Sequence, residues 1–473
     1  ETTGLNTVED ELVGMSFSVE AGAAWYVPVP AERNKAVEVV NIFKEAFENP
    51  AIEKTGQNIK FDMGILLSYG IRLQGKLFDT MIAHYLLQPD MRHNMDVLAE
   101  TYLGYTPVSI DELIGKKGKG QKSMRQVDKD IVSAYACEDA DITLQLRKTF
   151  EPMLKEQGMT GLFDEVEIPL IEVLMDMEHE GVAIDVKALK DYSAELEIKI
   201  SEIEKEIFSL AGSSFNIASP KQLGEILFDK LKIVEKAKKT KTKQYSTGEE
   251  ILSKLVNKHP IIQKILDYRS LTKLKSTYVD PLPELISKKT GRIHTSYNQA
   301  VAATGRLSSN NPNLQNIPIR SEEGREIRKA FVPRNDDYVL LAADYSQIEL
   351  RIIASLCKDE AMMEAFHKNL DIHAATAAKV YRVSLDEVSK EMRRNAKTVN
   401  FGIVYGISGF GLADRLNIPR REAEELINQY FNTYPGIKAY MDKTISFART
   451  HGYVETILGR RRIINDINSN NGL

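Results

Sequence analysis

Apolar positions along the chain follow two rhythms. Between residues 187 and 275, Leu189, Tyr192, Leu196, Ile200, Ile203, Ile207 and Leu210 are spaced by three or four, the repeat of one face of an α-helix. The spacing predicts a long helix whose stripe packs against an antiparallel partner. Residues 1 to about 158 alternate instead: "ELVGMSFSVE" and "AAWYVPVP" predict strands joined by a tight turn, while "AERNKAVEVVNIFKEAFEN" and "EDADITLQLRKTFEPML" predict helices. From residue 276 strands return, and "VLLAADYSQIELRIIASLC" predicts an apolar strand, then Asp344, then a helix. Residues 358 to about 457 are mostly helical in pattern. The expected fold class is α/β and multidomain, with two α/β units and two largely helical ones.

Two short segments carry local signals. In "SSFNIASPKQLGEIL", Ser219 is an N-cap, Pro220 takes the first helical position and Gln222 completes a capping box. Lys221 on that helix start suits either an ordinary cap or a phosphate contact. The run "KIVEKAKKTKTKQYS" holds six lysines against one glutamate, the pattern of a solvated loop or, beside a nucleic-acid channel, of a phosphate screen.

Composition narrows the class. A chain of 473 residues, 43% hydrophobic, suffices for roughly three domains of about 150 residues. Its net charge of −5 provides no global basic field, so any nucleic-acid site must be a local patch. Cys137 and Cys357 form neither a disulfide framework nor a zinc pattern and suit a reducing cytoplasm. No apolar run approaches the roughly 18 residues of a membrane span, and no signal peptide is recognised. Glu1 in place of a methionine and the ending "INSNNGL" predict a fragment at both ends.

The candidate chemistry gathers in two places. In "RRNAKTVNFGIVYG", Arg393, Lys397, Phe401 and Tyr405 recur every four residues, so they drift slowly around one helix face. Two cations suit phosphates and two rings suit a sugar or base. Asp344, at the end of the expected strand, is an oxygen ligand of the kind Mg²⁺ takes, and Glu349 follows in the first turns of the next helix. Carboxylate, cations and rings together point to nucleotidyl transfer. Near the N-terminus, Asn58 and Asp62 in "GQNIKFD", and Tyr135 and Asp139 in "YACEDAD", share an i, i+4 spacing. Asp62 and Asp139 could converge on metal ions, with Tyr135 orienting a water.

"AATGRLSSNNPNLQNIP" (302–318), "DYSQIELR" (344–351) and "RRNAKTVNFGIVYG" (393–406) resemble the signature motifs of family A DNA polymerases, and the resemblance spans the whole chain in that family's order. It implies a ribonuclease H-like 3′–5′ exonuclease domain over 1–158, the start of the polymerase domain over 159–186, a helical thumb over 187–275, and an antiparallel-sheet palm over 276–357. Helical fingers over 358–457 and a return toward the palm over 458–473 complete the order. It implies that Asp344 ligates catalytic Mg²⁺, that Arg393, Lys397 and His373 meet the triphosphate, that Phe401 lies near the sugar and Tyr405 near the base pair, and that Glu349 crowds the 2′ position. Gln347 joins the nucleotide-binding set. Gly402 and Gly406 would let the nucleotide approach the backbone. Arg306, Gln315, Asn316, Lys273, Lys275 and Lys221 are the implied contacts to primer–template DNA. Glu1, Asp62, Asp139 and Tyr135 are the implied exonuclease residues, the first three as Mg²⁺ ligands.

The resemblance further implies a bacterial cytoplasmic monomer acting on dNTPs in replication and repair. The exonuclease family's first motif is Asp-x-Glu, of which this chain begins at Glu1, and the polymerase family's later His-Asp-Glu motif is not reached. Each active site is therefore expected to lack one carboxylate, so that the chain alone would bind DNA weakly, tend to aggregate, and neither extend nor trim a primer at a useful rate. Two other readings remain: a single-subunit RNA polymerase relative, against which Glu349 and the N-terminal domain argue, and a DNA- and nucleotide-binding fragment without catalysis.

Overall fold

The computed structural model describes residues 1–235, 237–240, 243–319 and 321–469. Lys236, Lys241 and Thr242 of the basic run, and residues 470–473 of the expected return segment, lie outside these. The chain divides into two units, Glu1–Leu340 and Leu341–Leu473.

The first unit begins with the expected hairpin. Strands Gly14–Glu20 and Ala23–Pro28 pair antiparallel, Met15 opposite Val27 and Phe17 opposite Trp25, and Gly22 takes the positive φ of 80° that the turn requires. Lys54–Gly56 pairs in parallel with Leu77–Asp79. Helices Arg33–Ile42, Ile59–Ser68, Thr80–Leu87 and Lys129–Glu156 surround these strands, and Met15, Val40, Ile65, Phe78, Ile82, Leu146 and Phe150 share one core. The single helix expected over 31–49 is broken: it runs Arg33–Ile42 and then Lys44–Glu48. Phe43, between them, stacks on Phe17 of the hairpin at 5.2 Å, and a ring pair of this kind can outweigh one helical hydrogen bond.

His84 is fully buried in the Thr80–Leu87 helix. Its Nδ1 lies 2.7 Å from Nδ1 of His93 and its Nε2 3.1 Å from the Tyr102 hydroxyl. Burial, with the His93 ring adding to it, pushes its pKa down to about 4. The fold therefore prefers neutral His84, and stability present above the ordinary imidazole range near 6.5 is lost as pH falls from there toward 4. Thermal midpoints measured across this window should drop by several degrees, and His84→Phe should flatten the drop.

The predicted helix pair is present. Val186–Ala211 lies along Pro260–Leu274: Leu189 and Leu196 share a cluster with Leu271 and Leu274, and Ile207 and Ala211 share one with Ile261, Ile262 and Ile265. The start of one helix thus meets the end of the other, which makes the pair antiparallel. The predicted capping box at Ser219 does not form. Ser219 Oγ accepts from the Gln222 N–H, but the Gln222 side chain accepts instead from the Asn216 N–H at 2.8 Å, because Asn216 needs the same acceptor.

Sheets are small. The described strands form two-stranded pairs, among them antiparallel Ser296–Asn298 with Ser308–Asn310 and Ala183–Ile184 with Phe331–Val332. The apolar run before Asp344 is not a strand: Val339 and Leu341 are 85% and 90% exposed. No described strand pairs with it, and a lone extended segment leaves its backbone groups to water.

The second unit is helical. Ile348–Cys357, Ile372–Tyr381, Lys390–Val404, Arg420–Thr433 and Pro435–His451 enclose Leu350, Val399, Ile403, Leu426, Tyr430 and Tyr434, and the hairpin Tyr453–Glu455 with Arg461–Ile463 follows.

Candidate nucleotide and nuclease sites

The Lys390–Val404 helix starts at Ser389, whose hydroxyl accepts from the Met392 N–H at 3.1 Å. Ala396, Val399 and Ile403 turn into the core. Arg393 and Lys397 are exposed and Phe401 is half-buried, so cations and ring follow one another along the accessible side. Arg393 donates from Nε to Asp371 Oδ2 at 2.7 Å, and its Nη2 forms an ion pair with the same oxygen at 2.7 Å. Asp371 in turn caps the Ile372–Tyr381 helix by accepting from the His373 and Ala374 N–H groups. Arg393 is thereby aimed before any ligand arrives. No ion pair is recorded for Lys397 among the described residues, which leaves its ammonium uncommitted.

The helix ends on Tyr405, 63% exposed, whose hydroxyl donates to Glu349 Oε1 at 2.7 Å. Two bonds close the end: Ile407 N–H to Gly402 O at 2.8 Å and Gly406 N–H to Ile403 O at 2.9 Å, the Schellman arrangement. Gly406 has φ 74°, and a Cβ on Gly402 would come within 2.9 Å of Ile407 Cγ2. The cap itself requires both glycines, so the expectation that they make room for a nucleotide is not needed to explain them.

The family resemblance implies that His373 meets the triphosphate. His373 is 3% exposed, packs on Phe401 with ring centroids 5.6 Å apart, and has Nδ1 3.0 Å from Asn400 Nδ2. Burial lowers its pKa to about 4, so the imidazole is neutral and carries no charge to a phosphate. Asn400, Thr376 and Tyr434 form the buried polar network behind it. Sequence inspection passed over these three and Asp371, since a polar residue inside an apolar helix face carries no periodic signal. Asp344 is exposed, and Gln347, in the left-handed region at φ 55°, immediately precedes the helix bearing Glu349 without a side-chain capping bond. No hydrogen bond or ion pair is recorded for Asp344 among the described residues.

The implied DNA contacts lie in the first unit. Arg306, Gln315, Asn316, Lys273 and Lys221 are exposed. The Asn313 side chain accepts from the Gln315 and Asn316 N–H groups, which fixes that turn. Lys275 is engaged: it pairs with Glu197 at 3.2 Å and Asp280 at 2.9 Å, which draws its charge away from a phosphate. Lys221 stands on a five-residue helix, Pro220–Gly224.

Of the N-terminal acidic residues, Glu1 interacts electrostatically with both Asp62 and Asp139. Glu1 is held at the hairpin, its carbonyl accepting from the Val13 N–H at 2.8 Å. Burial and the charges of Glu1, Glu138 and Asp96 push the Asp139 carboxyl up to about 7, against the Tyr135 hydrogen bond that lowers it. The Asp62 carboxyl is likewise pushed up, first by desolvation and then by the charges of Asp79 and Glu1. Asp62 stays open to solvent, which tempers that rise. Burial and the Asp139 carboxylate raise the Tyr135 phenol far above its ordinary value, so it remains protonated and can only orient a neighbour. Asp79, missed in the sequence, is buried and accepts from the Ile59, Met81 and Ile82 N–H groups, which ties the helix bearing Asp62 to the parallel strands. Among the described residues no three His, Cys, Asp or Glu side chains stand as an ion-holding group. The donor set still fits a hard divalent cation in chemistry, because Asp62 and Asp139 are oxygen donors raised in pKa by burial and by the nearby Glu1 charge, which a cation would offset.

A family model described as DNA polymerase family A matches residues 186–473, and one described as 3′-5′ exonuclease matches residues 1–155. Family A polymerases and such exonucleases are generally divalent-metal dependent. A protein named DNA polymerase I from Pseudomonas aeruginosa is 46% identical over 484 residues, covering 100% of this chain and 53% of the relative. Its namesake from Bacillus subtilis is 44% identical over 472 residues, covering 100% and 52%. A solved structure described as the POL domain of Pol1 from M. smegmatis in complex with DNA primer-template and dNTP has a TM-score of 0.85 at 34% identity, covering 99% of this chain and 78% of that one. The chain spans about half the length of the curated relatives it matches. Among the described residues no helix is long and apolar enough to cross a membrane.

Proposed function

The chain belongs to DNA polymerase family A, and from that premise we propose that it serves template-directed DNA synthesis from dNTPs, with a 3′–5′ proofreading exonuclease domain at its N-terminal end, in the replication and repair of a bacterial cytoplasm. The exonuclease-like domain occupies 1–158, the thumb 187–275, the palm 276–357 and the fingers 358–457, and the protein works as a monomer. The observation that carries the reading is the row Arg393, Lys397, Phe401 along one helix, ended by a tyrosine bonded to Glu349. It matches a nucleotide from phosphates to base.

In this reading Lys397 and Arg393 hold the triphosphate, Phe401 lies against the sugar, and Tyr405 meets the base while fixing Glu349 near C2′. Arg306, Gln315, Asn316 and Lys273 meet the primer–template. Mg²⁺, held by Asp344 in one site and by Asp62, Asp139 and Glu1 in the other, would neutralise phosphoryl charge and supply an activated water for trimming. Tyr135 orients that water through its hydroxyl.

Template reading is tested with a dideoxy-terminated primer annealed to four templates that differ in the next base. Each dNTP should bind tightest opposite its complement. One order of affinities for all four templates would remove the reading. Phe401 has no hydroxyl to take the place of a missing 3′-OH. Phe401→Tyr should therefore narrow the difference in affinity between dNTP and ddNTP, by about fivefold for one neutral hydrogen bond. An unchanged ratio in the same titration would place Phe401 away from the sugar.

A further inference from the structure

The loop that carries Arg306 is held at its base and at its tip by the N-terminal part of the chain. At the base, Tyr297 donates its N–H to Glu178 Oε1 at 2.6 Å, and its carbonyl accepts from Lys60 Nζ at 2.7 Å. Lys60 and Glu178 also form an ion pair with side chains only 12% and 11% exposed. Gln299 donates to Glu167 Oε2 at 2.8 Å. On the far side the chain returns as Ser308–Asn310, paired with Ser296–Asn298. Between these anchors the tip is a turn in which the Gly305 N–H reaches Ala302 O at 3.0 Å, with Gly305 at φ 81°. The Tyr85 hydroxyl spans that turn: it donates to Ala302 O at 2.6 Å and accepts from the Gly305 N–H at 3.1 Å.

Tyr85 is 1% exposed, deep in the Thr80–Leu87 helix, within the residues that match the exonuclease model. Its ring is locked by the core, so its hydroxyl is a fixed point. Arg306, the next residue after the turn, is exposed. A long cation on an untethered turn would lose conformational freedom on meeting DNA, and a tether lowers that cost in advance. We propose that Tyr85 is a positioning residue for primer–template binding: through its hydroxyl the exonuclease-like domain sets the turn that presents Arg306 to the duplex. The inference rests on the reading above in which Arg306 meets primer–template DNA.

A double-mutant cycle on the Kd of a labelled primer–template, read by fluorescence anisotropy, separates the two claims. Arg306→Ala should weaken binding by roughly tenfold. Tyr85→Phe keeps the ring and removes only the hydroxyl; it should weaken binding about threefold to tenfold. In the Arg306→Ala background, Tyr85→Phe should have no further effect, because the tether acts through that side chain. Leu146→Ala, in the same core but on the Lys129–Glu156 helix, with no hydrogen bond to the loop recorded among the described residues, should lower the thermal midpoint at least as far as Tyr85→Phe while leaving the Kd unchanged, which a merely structural role for Tyr85 would not do. If Arg306→Ala binds as the parent does, the reading of the loop as a DNA contact fails and the inference falls with it. If Arg306→Ala weakens binding but Tyr85→Phe does not, or the two effects add, the inference alone is overturned.

Discussion

Lys397→Ala should raise the Kd for a matched dNTP on a non-extendable primer–template by about tenfold to a hundredfold, the range for loss of one charge-assisted hydrogen bond, while the Kd for the duplex stays the same. The reason lies in how the two cations of the Lys390–Val404 helix are committed. Arg393 already spends its guanidinium on Asp371, so a triphosphate must share it. Lys397 has no recorded ion pair among the described residues and is exposed. Its full charge is available to a ligand with several negative oxygens. A duplex phosphate would also be attracted to a free lysine, so the contrast between nucleotide and duplex affinity decides the matter. Equal losses for both would make Lys397 a duplex contact.

Glu349→Ala should reduce the preference for dNTP over rNTP, read as the ratio of their Kd values, by about tenfold or more, since an added hydroxyl that meets a bulky fixed group is penalised by overpacking of roughly 1–3 kcal/mol. The carboxylate can act as a barrier only if it is held, and the Tyr405 hydroxyl holds it at 2.7 Å. Tyr405→Phe should therefore lower the preference too, by less, because it removes one hold on the carboxylate without removing the carboxylate. Unchanged sugar preference in Glu349→Ala would show that the sugar's C2′ lies elsewhere.

Some of this was legible in the sequence because it is periodic. The Leu189–Leu210 stripe repeats at helical spacing, and the antiparallel pair it predicts is present. The row from Arg393 to Phe401 repeats every four residues and shares the accessible side of one helix. What periodicity could not carry was pairing across distance. The helix break at Phe43 depends on a ring in the hairpin. The run before Asp344 has the composition of a strand, but a strand needs a partner for its backbone, and composition does not supply one. Tyr405 and Glu349 meet across 56 residues, and the burial of His373 follows from Asn400 and Phe401 packing over it. Gly402 and Gly406 suggested room for a ligand, while the local cap accounts for both. The i, i+4 pairs pointed to Asp62 and Asp139, while the part of Glu1, whose charge acts on both, came from family resemblance alone.

In the proposed function, one face of the Lys390–Val404 helix, with Tyr405 and Glu349 at its end, holds the incoming templated nucleotide. Amide hydrogen exchange on the complex with a dideoxy-terminated primer–template reads that contact. Adding the matched dNTP should slow exchange across residues 390–406 and at the start of the Ile348–Cys357 helix, and a mismatched dNTP at the same concentration should not. Exchange across 390–406 that ignores the nucleotide, or that slows equally for matched and mismatched dNTPs, would mean that this helix face does not hold a templated nucleotide.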